Sequence, residues 1–116
     1  MEYFDADAGR ELQEAFERAV ADWPDVTNRT MFGCPSYLAD GTLFAVLVTD
    51  GVALTRLPDA ERERLAEAFE TGSFQAGERT VTKWVQVPVD ADGLDALLPY
   101  VEASYETALA EAEAEA

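Results

Sequence analysis

Asp40-Gly41 and Asp50-Gly51 each stand between two apolar runs, and this pattern constrains the fold more than any other. Asp-Gly readily takes the positive φ angles that a two-residue type I′ hairpin turn requires. The pairs therefore predict three consecutive antiparallel strands, at 30–39, 42–49 and 52–56. The middle run, Leu43-Phe44-Ala45-Val46-Leu47-Val48, is apolar at every position rather than at alternate ones. Strands of that kind are normally covered on both faces. Either helices cover both sides, or helices cover one and a partner chain the other.

The flanking segments read as helices and further strands. Leu12, Phe16, Ala19, Val20 and Trp23 recur at helical spacing, so a helix is predicted over 8–23, stopped by Pro24. A second is predicted over 58–71, with Pro58 in its first turn, Gly72 as its C-terminal cap and Leu65, Ala66 and Phe69 facing inward. Two strands follow at 73–76 and 80–89, joined through Gly77-Glu78-Arg79. In the latter, Val81, Val85, Val87 and Val89 alternate with Thr82, Trp84 and Gln86, and Lys83 falls on the valine side. The last apolar stripe, Leu94, Leu97, Leu98, Val101, Tyr105 and Leu109, contains Pro99, so a short turn at 92–98 and a main helix from Pro99 are expected. The Ala- and Glu-rich tail at 108–116 has nothing to pack and should fray. The expected order is α-β-β-β-α-β-β-α: a single α+β domain over 1–116, with an antiparallel sheet of about five strands and three helices.

Charge decides which functions are plausible. The chain has 116 residues, with 24 acidic residues against 8 basic ones and a net charge of −16. The acids are spread along the chain rather than collected in one block, which favours a surface adapted to high salt, where like-charge repulsion is screened, over the competing reading of an acidic module that binds a basic partner. The same balance argues against binding duplex nucleic acid, which needs clustered cations. No apolar run is long enough to span a bilayer, and the first residues lack the character of a signal peptide. A cytoplasmic location is expected, with no membrane association.

Little in the sequence points to chemistry. There is no histidine, which removes Ser-His and Cys-His nucleophile pairs and histidine metal sites. Cys34 is the single cysteine and reads as a small buried apolar residue. No spacing matches a calcium loop or a phosphate-binding glycine loop. No catalytic residue, metal ligand or cofactor site is expected. The few cations in or beside the predicted sheet, Arg29, Arg56, Arg79 and Lys83, together with Trp84, are the candidates for contacting an anionic ligand or a partner. The bland alternative is ion pairing with neighbouring carboxylates.

The segment 29–45, containing Met31-Phe32-Gly33, then Gly41 and Phe44-Ala45, resembles the opening of TfoX/Sxy N-terminal-type domains. Leu54-Thr55-Arg56-Leu57-Pro58, Phe74-Gln75-Ala76, Lys83-Trp84-Val85-Gln86-Val87-Pro88 and 98–105 continue the resemblance over nearly the whole chain. It implies an α+β fold related to the YjbR-like and secretion-chaperone-like folds. The founding members regulate natural competence and carry a second, helical domain. The resemblance brings no catalytic residues, and implies a stand-alone interaction or regulatory module with a protein partner. The strand apolar on both faces adds the expectation of a homodimer formed through an uncovered sheet face, with a complete monomer as the alternative. The alternative is a small anionic-ligand-binding protein or enzyme using Arg29, Arg56 and Lys83.

Overall fold

The structure is a computed structural model. It describes residues 4–31, 33–76 and 79–115, with side chains outside 73–83 and 115. Three helices and six strands follow one another as α1 (Arg10–Val20), β1 (Val26–Met31), β2 (Cys34–Ala39), β3 (Thr42–Val48), β4 (Gly51–Leu54), α2 (Asp59–Ala68), β5 (Gly72–Ala76), β6 (Arg79–Pro88) and α3 (Leu94–Glu115). The strands form one sheet in the order β1-β2-β3-β4-β6-β5, antiparallel throughout. The α+β class with an antiparallel sheet and three helices is as expected. The sheet has one strand more than expected, because the segment read as one strand at 30–39 is a hairpin. Its two-residue turn lies between Met31 and Cys34, where Gly33 takes φ 76°. Phe32 lies outside the described residues.

The two Asp-Gly pairs turn out to do different work. Asp40 and Gly41 both have positive φ, 49° and 85°, as a type I′ turn requires. Asp50-Gly51 does not form that turn. Thr49 and Asp50 are the linking residues, and Gly51 already pairs with Val48 and Pro88 inside β4. A Cβ on Gly51 would run into the Val87 carbonyl, so this glycine permits close approach of two strand backbones rather than a turn.

All three helices contribute to the core on one sheet face. Leu12, Phe16 and Val20 of α1, Leu65 of α2, and Leu94, Leu97, Val101, Tyr105 and Ala108 of α3 pack with Tyr37, Ala45, Leu47, Val52, Leu54, Val85 and Val87. Phe44 joins them through a β-bulge. Tyr37 pairs with Ala45 and Leu38 with Leu43, which leaves Phe44 as the extra residue. A bulge turns an additional side chain out of strict alternation. Phe44 is thereby fully buried beside Tyr105 and Trp23, at ring distances of 5.4 and 6.4 Å. Its carbonyl accepts from the Ser104 hydroxyl at 2.7 Å and the Thr55 N–H at 3.2 Å, while Ser104 Oγ accepts from the Arg56 N–H at 3.1 Å. Ser104 thus joins α3 to β3 at the bulge and to the chain just beyond β4.

Of the two arrangements open for β3, the described residues show cover on both faces. Cys34, Val46, Val48 and Ala53 form a second buried cluster, against which Phe4, Leu43 and Trp84 pack. Among the described residues, Val46 and Ala53 at the middle of the sheet are fully buried within one chain.

Several helix boundaries also differ from the sequence reading. Helix α1 ends at Val20, and Trp23 follows in tight turns closed by i−3 hydrogen bonds while still stacking on Tyr105. Pro58 precedes α2 with extended backbone, and Gly72 opens β5 rather than capping the helix. Leu65 is buried and Phe69 half-buried, but Ala66 is exposed. Helix α3 runs unbroken through Pro99. Pro99 and Asp95 are both exposed, so the Asp95 carbonyl that loses its helical donor can bond to water instead. Leu94, Leu97 and Val101 meanwhile hold this part of the helix on the core. The helix continues to Glu115, and Ala108 within its predicted tail is buried.

Candidate functional site

Among the described side chains, the sheet cations Arg29 and Arg56 do not converge. Arg56 lies just beyond β4, where the Thr55 hydroxyl donates to the Leu43 carbonyl at 2.8 Å and fixes the strand end. Its Nη1 donates to the Thr55 carbonyl at 3.2 Å, and its Nε is 2.8 Å from the Glu111 carboxylate. That Nε makes no aligned hydrogen bond, so the contact with Glu111 is chiefly ionic. Around it lies an open groove of about 550 Å³ between the β4–α2 link, the first turn of α2 and α3, lined by Arg56, Arg62, Asp59, Glu111, Thr55 and Thr107 among others. Two cations face two carboxylates there. An incoming anion would have to compete with Glu111 for Arg56.

Arg29 occupies a different place. It is exposed on β1 and lines a groove of about 280 Å³ with Phe4, Gln13, Glu17, Asn28, Thr30, Gly33 and Pro35. A neighbouring groove of about 160 Å³ shares Glu17 and Asn28 and adds Val20, Ala21, Val26 and Tyr37. Together they follow the seam between α1 and β1. The Tyr37 hydroxyl donates to Glu17 Oε2 at 2.7 Å, and Gln13 Nε2 donates to the same oxygen at 3.3 Å. Burial, then the bond to Glu17 and the charge of Glu17, push the Tyr37 phenol far above its ordinary value. It therefore remains a donor to the Glu17 carboxylate.

Arg79 and Lys83 lie on β6, with side chains outside the described residues. Trp84 is half-buried against the Val46–Ala53 cluster. Of the residues carrying the family resemblance, Met31 is half-buried at the end of β1, Gly33 and Gly41 sit in turns and Phe44 fills the bulge. Sequence reasoning missed Arg62, Glu111, Glu17 and Asn28. Arg62 stands six positions after Arg56, and the chain's bend at Thr55-Arg56 puts both on one groove. Glu17 looked like one of many solvated acids.

Cys34 is fully buried on β2, and burial raises its thiol to about 11. A buried neutral thiol is a poor nucleophile. Native protein at neutral pH is expected to react with a thiol reagent at least about 100-fold more slowly than unfolded protein. Equal rates would place Cys34 at the surface. The raised value favours folding below the unfolded thiol's range, and this contribution is lost as pH climbs toward 11.

Among the described residues no group of acidic or cysteine side chains is placed to hold a metal ion, and no helix is long and apolar enough to cross a membrane. A family model described as the TfoX N-terminal domain matches residues 18–108. No curated protein and no solved structure matches the chain.

Proposed function

The chain belongs to the TfoX N-terminal domain family, and from that premise we propose that it works as an interaction or regulatory module, acting through protein contacts without catalysing a reaction. One observation carries this reading above the others. Arg29 and Arg56, the candidate cations whose side chains are described, line separate grooves, and the better placed of them, Arg56, is already held by Glu111 and the Thr55 carbonyl. The buried thiol and the absence of histidine support the same conclusion.

The charge supports a setting for it. A net charge of −16 suits the cytoplasm of a salt-adapted, halophilic cell, where a Debye length of only a few ångströms removes most of the repulsion. It also disfavours duplex nucleic acid as a partner. The second reading, an anionic ligand at Arg56, is favoured only by the size of the Arg56–Arg62 groove.

Capture of the tagged chain from native lysate at the cell's own salt concentration separates the two. The contact-module reading expects a co-purifying polypeptide at near-stoichiometric yield, retained by an Arg56→Ala variant. Recovery of a small anion with no polypeptide, lost in Arg56→Ala, would establish the second reading instead.

A further inference from the structure

We propose that the free edge of β1, with the α1–β1 groove above it, is the docking site of this module, and that it takes an extended segment of a partner protein carrying a lysine or arginine. This rests on the contact-module reading and specifies its surface.

The hydrogen-bond parity of β1 comes first. In an antiparallel pair, residues alternate between those that exchange bonds with the neighbouring strand and those whose N–H and C=O point away from it. The Asp40 N–H donates to the Asp25 carbonyl at 3.0 Å, which marks 25/40 as a bonded pair. Counting along the register, Thr27/Leu38, Arg29/Ser36 and Met31/Cys34 are bonded pairs, while Val26/Ala39, Asn28/Tyr37 and Thr30/Pro35 are not. Pro35, which has no N–H to give, falls on a non-bonded pair, as this parity demands. Val26, Asn28 and Thr30 therefore turn their backbone donors and acceptors outward.

That edge is terminal and open. β1 ends the sheet order, and its residues 27–30 are all exposed. Its pairing with β2 is regular over all six residues, with no bulge. Natural edges are commonly blocked by bulges, proline or inward charges. The opposite edge strand, β5, has an irregularity in its pairing between Ser73 and Phe74, whereas β1 has neither bulge nor proline. An added strand would gain main-chain bonds from Val26, Asn28 and Thr30, the common mode of peptide recognition by β-augmentation.

The groove identifies the occupant. Glu17 and Asn28 line both of its halves. The two hydrogen bonds to the Glu17 carboxylate fall on Oε2, which leaves Oε1 to accept from a cation in charge-assisted fashion. A second copy of this chain would bring another −16 of charge to the same seam. A basic segment is attracted by that field.

The test is titration of isotope-labelled protein with an acetylated peptide of about eight residues, alternating Thr and Val with one central Lys, followed by amide shifts. The amides of 26–31 and of Gln13 and Glu17 are expected to move. Asn28→Pro removes an outward donor without breaking the β1–β2 ladder, and should weaken binding at least about 10-fold. Thr27→Ala, at a residue that lines neither groove and leaves the outward donors in place, should stay within about twofold. Glu17→Gln, or replacement of the peptide Lys by Glu, should weaken binding about fivefold. Shifts confined to other surfaces, indifference to Asn28→Pro, or self-pairing of β1 in the absence of peptide would each overturn the proposal. If it fails while a polypeptide still accompanies the chain from lysate, the contact-module reading stands and only its surface is wrong.

Discussion

Phe44→Ala is expected to cost about 3–5 kcal/mol, a large part of the stability of any domain this size. The ring is fully buried and stands edge-on to Tyr105 at 5.4 Å with an interplanar angle of 73°. It also sits at the bulge that Ser104 clamps to α3. Truncation removes buried area and leaves a void that the bulge cannot close, because its carbonyl is fixed by two donors. In molar KCl the urea midpoint should fall by roughly 2 M. Phe44→Leu, which keeps most of the volume, should cost about half as much or less. A loss below about 1 kcal/mol for the alanine variant would mean that Phe44 is not the residue joining the bulge to the helical layer.

Salt should act in the opposite direction and on a similar scale. Exposed acids crowd the outer surfaces of the helices, with Glu11, Glu14 and Glu17 on α1, and Glu102, Glu106 and Glu111 on α3. Pairs such as Arg10–Asp7 and Arg64–Glu61 are exposed i,i+3 contacts, worth little individually. Raising KCl from about 0.05 M to a few molar shortens the Debye length from over 10 Å to a few ångströms or less. The folded state, where the charges are closest, gains most. An increase of about 2 kcal/mol or more is expected, on the order of 10 °C in Tm. A midpoint that is flat or falling over that range would remove the case for a salt-adapted surface.

How much of this was legible in the sequence depended on whether local chemistry or distant packing fixed each feature. Asp40-Gly41 read correctly because positive φ at both turn residues is a local demand. Asp50-Gly51 looked the same, but its glycine answers to the Val87 carbonyl on another strand. Strand β1 escaped notice because Thr27-Asn28-Arg29-Thr30 has no alternation. A period of two appears only where one face is buried, and those four residues are exposed. Pro99 suggested a break that packing of Leu97 and Val101 overrides. Of the candidate site, Arg29 was named for its charge. Glu17, the more informative neighbour, was one acid among 24 until Tyr37 and Gln13 singled it out.

The central claim is that this chain acts by offering the β1 edge to another polypeptide. Amide hydrogen exchange tests it most directly, on the protein alone and again with the polypeptide that accompanies it from lysate. Alone, the amides of Asn28 and Thr30 should exchange quickly, while those of Thr27 and Arg29, bonded to β2, exchange slowly. In the complex, Asn28 and Thr30 should become at least about 10-fold slower, with Gln13 and Glu17 following. Protection that appears instead around Arg56 and Arg62, with β1 unchanged, would contradict the claim.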